Sequence, residues 1–237
     1  MNRPVPDPVS GHHPVEPPPP GAEAEGPARP GAESAAQLLV IGLGPEPGPW
    51  EGVVTALSEA LGLEPAREAG PAPPGDPELV ERVLERAAAV PGPVLILPPA
   101  RPAEGEPRTA RTLERVLAPF DSEEVSEALR PVLDRLQEAG VQVAQLLVMT
   151  ADTLPPMWDG VGHHAAAWHA ELRRRHQVGE ASVEVTAGVP ATTVVARAGD
   201  ADLVVLCWGR PARAGGARTL RAVLAAIDVP LLLVPVA

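Results

Sequence analysis

The chain has 237 residues, of which 45% are hydrophobic and only 2% aromatic, so its core must be built of Leu, Val, Ala and Ile. Its formal net charge is −12, and an acidic surface repels phosphate backbones, which argues against a general nucleic-acid partner. The single cysteine, Cys207, excludes an internal disulfide, and no apolar run reaches the roughly 20 residues of a membrane helix. We therefore expect a cytoplasmic protein with no membrane partner.

The first 34 residues form a segment of Pro, Gly, Ala and acidic residues. Such a composition buries too little apolar surface to offset chain entropy, so we predict a disordered tail over 1–34. His12 and His13 lie in this tail, but two adjacent histidines on a floppy chain are a weak metal signal. No metal site is expected there.

Residues 35–102 contain the first predicted ordered part, with two buried strands and two helices. Short apolar runs bounded by Gly and Pro predict the strands, which lie at 37–44 and 92–99. Helical spacing predicts the helices, which lie at 50–63 and 76–90. Asp76 is the predicted N-cap of the second helix, with Pro77 at its first position. A linker is predicted at 101–110.

Residues 110–237 form the second predicted domain, in which strands and helices alternate five times. The predicted strands are 113–120, 141–149, 181–188, 200–208 and 229–236. The predicted helices are 121–140, 158–176, 189–199 and 219–228, with a loop at 209–218. Near-continuous Val and Leu runs are typical of strands buried on both faces, which predicts a parallel sheet with helices on either side.

The two halves repeat one pattern: a helix, a short turn, a Pro and a Leu/Val strand that ends in Pro, at 78–99 and again at 219–236. We interpret the first half as a shortened, degenerate copy of the second. An apolar edge strand invites pairing, so we expect the strands at 92–99 and 229–236 to pair within one chain as an intrachain pseudo-dimer. Two alternatives stay open: a homodimer through the last strand, or addition of 35–102 elsewhere on the second sheet.

Three segments resemble parts of the universal stress protein domain. RVLAPFDSEEVSEALRPVLDRLQEAGVQVAQLLVM resembles its opening, ADLVVLCWGR its fourth strand, and LRAVLAAIDVPLLLVPV its final helix and strand. The resemblance implies a flavodoxin-like, doubly wound sheet of five parallel strands in the order 3-2-1-4-5, preceded by a shortened half-domain in a tandem arrangement. It also implies a regulatory role in stress response.

One branch of that family binds ATP through Gly-x-x-Gly, nine residues, Gly, then Ser or Thr. Here the first Gly falls on Cys207 and the second on Arg210, and no register restores the whole pattern. Sliding the alignment recruits Gly209, Gly215, Gly216 and Thr219. The resemblance keeps Pro119 and Asp121 at the end of the first strand and matches Val148 to a residue that lines the adenine pocket. ATP is therefore the candidate ligand.

The residues support an anion site independently of the family. From Gly209 to Arg221 there is no acid, and four arginines fall in this stretch, Arg210, Arg213, Arg218 and Arg221. Gly215 and Gly216 let backbone N–H groups approach a phosphate, and the following helix points its positive end at the same place. The alternative is a solvated Arg/Gly loop. For Asp121 the alternative to ligand binding is capping of the helix, by Asp121 or Ser122.

No catalytic constellation stands out in the sequence. Cys207 lies in an apolar strand, where Cys usually behaves as a small hydrophobe. His169 and His176 share a helical face, but the nearby arginines would repel a cation, so we expect no metal there. We expect a regulatory binding protein rather than an enzyme. The alternative is an adenylating or nucleotide-hydrolysing enzyme, for which Asp121 is the acid the sequence offers near Gly209.

Overall fold

The computed structural model describes residues 37–44, 48–69, 78–99, 112–149, 182–209 and 214–236, together with Ala167, Ala170, Glu171 and Arg174. The predicted tail 1–34, the predicted linker 101–110, and Asp76, Pro77 and Arg210 lie outside these residues. Most of the predicted helix 158–176 lies outside them too, and its four described residues are helical.

Besides those four helical residues, the described residues form eight strands and five α-helices. The strands are β1 (Gln37–Gly42), β2 (Glu64–Ala69), β3 (Val94–Leu97), β4 (Arg115–Phe120), β5 (Gln142–Met149), β6 (Ser182–Ala187), β7 (Leu203–Gly209) and β8 (Leu231–Val236). The helices are α1 (Glu51–Leu61), α2 (Leu79–Ala88), α3 (Glu123–Glu138), α4 (Pro190–Ala198) and α5 (Ala214–Ala226). A 3-10 turn, Gly48–Trp50, leads into α1. None of these helices is long and apolar enough to cross a membrane.

All eight strands form one sheet in the order β2-β1-β3-β8-β7-β4-β5-β6. If β4 to β8 are renumbered 1 to 5, their order in the sheet is 3-2-1-4-5. This order confirms the doubly wound arrangement predicted for the second half. Every neighbouring pair is parallel except β3 with β8. The fold class is therefore confirmed as α/β, but the sheet has eight strands because the first half joins it. The boundaries predicted for 35–102 and 110–237 as separate domains stay predictions.

Helices cover both faces of the sheet, as the apolar strands predict. Along β7, Leu203 and Val205 belong to one core and Val204 to the other, because side chains alternate along a strand. Helices α1 and α3 cover the first face, and α2, α4 and α5 cover the second. Ser122 caps α3, since its hydroxyl accepts a hydrogen bond from the Val125 amide at 3.3 Å.

The two halves meet along β3 and β8. Leu95 pairs with Leu232, flanked by the pairs that Val94 and Ile96 make with residues of β8. The Leu95 and Leu232 side chains are both fully buried. The predicted pairing within one chain is therefore confirmed. Within this chain β8 has β7 on one edge and β3 on the other, which leaves the last strand no edge for the alternative homodimer contact. The oligomeric state stays a prediction. That the first half is a shortened copy of the second stays a prediction.

Strand β2 is an element that the sequence did not predict. Its sequence, EPAREA, lacks an apolar alternation, and it forms one edge of the sheet beside β1. Ion pairs attach it to a helix on each face: Arg67 donates to Glu51 of α1 at 2.5 Å, and Arg86 of α2 donates from Nε to Glu68 at 2.7 Å. Charged side chains are a common protection for an edge strand, so this strand carries no apolar signature.

Helix α5 begins earlier than predicted. The predicted loop 209–218 is wrong from Ala214 onward, because α5 starts there rather than at Thr219. The first amides of a helix have no partner within the helix. Gly215 and Gly216 therefore destabilise α5 less in its first turn than they would in its interior. Both glycines therefore lie in the first turn of α5, and Arg218 and Thr219 lie within the helix.

Candidate functional site

The strand order reverses between β4 and β7, and the pairing of these two strands is short. β4 pairs with β5 along all six of its residues, but with β7 only at Val116 and Leu117. At the amino ends Asp202 joins them: its carboxylate accepts hydrogen bonds from the amides of Glu114 at 3.0 Å and Arg115 at 2.9 Å. The hydrogen-bonded pairing thus covers the amino ends of the two strands and ends before their carboxyl ends, where Pro119 has no N–H to donate. Doubly wound sheets bind ligands at such a carboxyl-end crevice.

Asp121 directly follows β4 at the mouth of this crevice. Its side chain is exposed, and it makes no hydrogen bond or ion pair with the part of the chain that the structure describes. Because Ser122 caps α3, the capping alternative for Asp121 is wrong. The carboxylate is therefore available to accept hydrogen bonds from a ligand.

Cys207 lies on β7, across the crevice from Asp121. It is half-buried, and its thiol donates a weak hydrogen bond to the carbonyl of Val125 in α3, with an S–O distance of 3.8 Å. Burial, with a further contribution from the negative charge of Asp121, raises the pKa of the Cys207 thiol to about 12. The thiol therefore stays protonated near neutral pH, where it is a poor nucleophile.

Two further predicted residues line the same end of the sheet. Pro119 is buried and pairs with Leu146, and Phe120 pairs with Leu147. Val148 therefore lies one residue further along β5, at the level of Asp121. Val148 is buried on the face covered by α2, α4 and α5. The structure thus brings Pro119, Asp121 and Val148 to one end of two neighbouring strands, as the resemblance predicts.

Trp208 is a residue at this site that the sequence analysis missed. It is the penultimate residue of β7, directly before Gly209, and it is buried in the same core as Val148. Aromatic residues make up only 2% of the chain, so a tryptophan at the end of a predicted strand was a signal in the sequence that could have identified it. Trp208 therefore supplies buried apolar surface at the carboxyl end of β7.

The arginine-rich segment is only partly available to a ligand. Gly209 ends β7, and Gly215, Gly216, Arg218 and Thr219 follow in α5, with the Arg218 side chain exposed. Arg221 is engaged elsewhere, because its guanidinium donates to both carboxylate oxygens of Glu81 in α2, at 2.5 and 3.0 Å. Of the four arginines in this acid-free stretch, Arg221 therefore links the two halves through Glu81. Arg210 and Arg213 lie outside the described residues.

Metal-binding chemistry has no support from the side chains that the structure describes. Within those ranges, no three His, Cys, Asp or Glu side chains converge in a way that could hold a metal ion. The carboxyl ends of β4 and β7 bring together the Asp121 carboxylate, buried apolar side chains and, beyond β7, the amino end of α5. These groups suit a ligand with an apolar body, hydrogen-bond donors and an anionic end.

Comparison with known proteins gives matches among solved structures alone. No family model matches the chain, and no curated protein matches it. Similar solved structures are universal stress proteins. One, from Archaeoglobus fulgidus DSM 4304, is 16% identical, with a TM-score of 0.42 and coverage of 84% of this chain and 85% of that one. Another, in complex with cAMP, is 14% identical, with a TM-score of 0.39 and coverage of 53% and 98%. A functionally unknown protein, PA1789 from Pseudomonas aeruginosa PAO1, is 14% identical, with a TM-score of 0.48 and coverage of 84% and 82%.

Proposed function

We propose that this chain is a universal stress protein-like regulatory protein that binds an adenine nucleotide in the crevice between β4 and β7. The observation that carries the proposal is the end of the β4–β7 pairing at Leu117, at the point where the strand order reverses, with the unengaged carboxylate of Asp121 directly after β4. The Pro119-x-Asp121 spacing that resembles the family falls at this same place. ATP is the first ligand to test.

Electrostatics orient the ligand in this proposal. A phosphate beside Asp121 would be repelled, so the anionic end points away from β4, toward the amino end of α5. There the backbone amides of Gly215 and Gly216 and the exposed guanidinium of Arg218 favour negative charge. The Asp121 carboxylate accepts hydrogen bonds from the hydroxyl or amino groups of the nucleoside. Val148 and Trp208 provide the apolar walls.

The proposed role is binding without turnover. The raised pKa of Cys207 keeps its thiol protonated near neutral pH, so it does not attack a phosphate or carbonyl. The alternative of an adenylating or hydrolysing enzyme needs a base or a metal-binding acid near Gly209. No observation favours that alternative over binding, and it becomes an outcome of the assay.

The test has three parts. The purified protein is denatured and the released small molecules are identified, with an adenine nucleotide expected. Affinities for ATP, AMP and cAMP are then measured by calorimetry for wild type, Asp121→Ala and the control Asp134→Ala, which removes a carboxylate further along α3. We expect Asp121→Ala to weaken binding roughly tenfold or more, by loss of hydrogen bonds to a charged group. Equal affinity in both variants removes Asp121 from the site, and conversion of ATP to ADP or AMP supports the enzyme.

A further inference from the structure

The first half contains a second point at which the strand order reverses. β1 lies between β2 and β3, α1 crosses on one face of the sheet, and α2 crosses on the other. By the same rule that places the crevice of the second half, the carboxyl ends of β1 and β3 are the first half's ligand position. Because β3 is antiparallel to β8, this position lies on the opposite end of the sheet from Asp121.

The strands do not separate at this second position. β1 and β3 are paired from Leu39 and Val94 through their last residues, Gly42 and Leu97. The pairing continues beyond the strands, since the amide of Leu43 donates to the carbonyl of Leu97 at 2.9 Å. In the second half the pairing of β4 with β7 ends after two pairs. The unpaired carboxyl ends that mark the crevice there are therefore absent between β1 and β3.

A tryptophan covers the same position. Trp50, at the start of α1, is only 1% exposed and belongs to the core that contains Val40 and Leu97. Its indole N–H donates to the carbonyl of Pro98, the residue that follows β3, at 3.1 Å. A bicyclic aromatic ring of the size of a purine thus lies against the end of β3, with its polar edge bound to the chain.

We infer that Trp50 is a built-in occupant of the first half's ligand position, so that each chain binds one nucleotide, in the second half alone. The inference rests on the proposed function for the identity of the ligand. The role inferred for Trp50 is independent of the proposed function. Trp50 fills space in the core, and its removal should leave an indole-shaped cavity with the Pro98 carbonyl as a hydrogen-bond acceptor at its wall.

Two measurements test the inference. Calorimetry with ATP on the full wild-type chain should give one site per chain, weakened roughly tenfold or more by Asp121→Ala and retained in Trp50→Phe. Separately, Trp50→Gly should be stabilised by free indole, with a rise in Tm of about 3 °C at about ten times its Kd. The control is Leu57→Ala, which opens a space in the same core without removing an indole and should respond little.

The outcomes separate this inference from the proposed function. Two ATP molecules per chain, or one whose affinity Asp121→Ala leaves unchanged, would overturn the inference and leave nucleotide binding intact. No ATP bound at all would overturn the proposed function, and the indole response of Trp50→Gly then decides the role of Trp50. An equal indole response in Leu57→Ala would refute that role. If Trp50→Gly does not fold, the ATP stoichiometry of wild type and Trp50→Phe decides.

Discussion

Leu95 of β3 lies directly opposite Leu232 of β8 in an antiparallel pair, and neither side chain has any exposure to solvent. Fully burying a leucine stabilises a fold by about 1.5–3 kcal/mol, so this pair holds the two halves together with core-like strength. It also removes an apolar edge from each half. A short first half, with three strands, is thereby built into the same sheet as the second.

Cross-linking tests this pairing directly. In a Cys207→Ala background, the double variant Leu95→Cys with Leu232→Cys should form a disulfide within one chain, because residues opposite each other on antiparallel strands are about 4.5–5.5 Å apart. Mass spectrometry and non-reducing electrophoresis at high dilution detect it. The control is Val40→Cys with Leu232→Cys, which places the cysteines two strands apart, about 10 Å. Cross-links that form only between chains contradict the pairing.

Arg218 and Arg221 should behave differently although both lie on α5. Arg218→Ala should weaken ATP binding roughly ten- to a hundredfold, the loss expected for a charge-assisted contact, with Tm unchanged. Arg221→Ala should leave the affinity unchanged, because Arg221 is bound to Glu81. Calorimetry and thermal melts on both variants measure this. Equal losses of affinity would show that Arg221 leaves Glu81 for the ligand.

The Glu81–Arg221 pair should also make stability depend on pH. The hydrogen bond from Arg221 lowers the pKa of Glu81 below its ordinary value of 4.5. A carboxylate with a depressed folded-state pKa contributes stability that is present above the unfolded value and lost as the pH falls through the folded one. The difference in stability between wild type and Arg221→Ala should therefore be present at pH 6 and shrink below about pH 4.5. A difference that stays constant on acidification would exclude this linkage.

Asp202 should stabilise the fold by joining the amino ends of β4 and β7. Asp202→Ala removes the acceptor for the amides of Glu114 and Arg115, so it should lower the free energy of unfolding by about 1.5–3 kcal/mol. The control is Asp200→Ala, since the Asp200 side chain is exposed. It should change the free energy of unfolding by less than about 0.5 kcal/mol. Chemical denaturation measures both. Similar effects in the two variants would mean that the Asp202 hydrogen bonds contribute little.

Cys207 should react slowly with alkylating agents. With its pKa near 12, the thiolate fraction at pH 8 is about three orders of magnitude below that of an exposed cysteine. Asp121→Asn should speed the reaction by lowering this pKa, but less than unfolding does, because burial is the larger cause. Asp134→Asn serves as the control. Mass spectrometry after iodoacetamide treatment gives the rates, and a native rate equal to the denatured one would contradict the raised pKa.

The apolar strands were predictable because burial on both faces leaves uninterrupted Val and Leu runs in the sequence. The order 3-2-1-4-5 followed from the resemblance of those runs to a known domain, and the pairing of β3 with β8 from their shared Leu-rich character. Strand β2 was not predictable, since ion pairs of Arg67 and Glu68 attach an edge strand without any apolar pattern. The start of α5 was misplaced because Gly215 and Gly216 are typical of a loop, yet a first turn tolerates them.

The sequence by itself determined the α/β class, the strands of the core and the position of Asp121 at the end of a strand, because these depend on local apolar runs and on the residues next to them. Only the tertiary structure decided which residues are free to act. It assigned the helix cap to Ser122 and paired Arg221 with Glu81. It ended the β4–β7 pairing at Leu117 and continued the β1–β3 pairing to the ends of both strands, beside Trp50. These outcomes depend on contacts between residues far apart in the chain, and no local pattern records them.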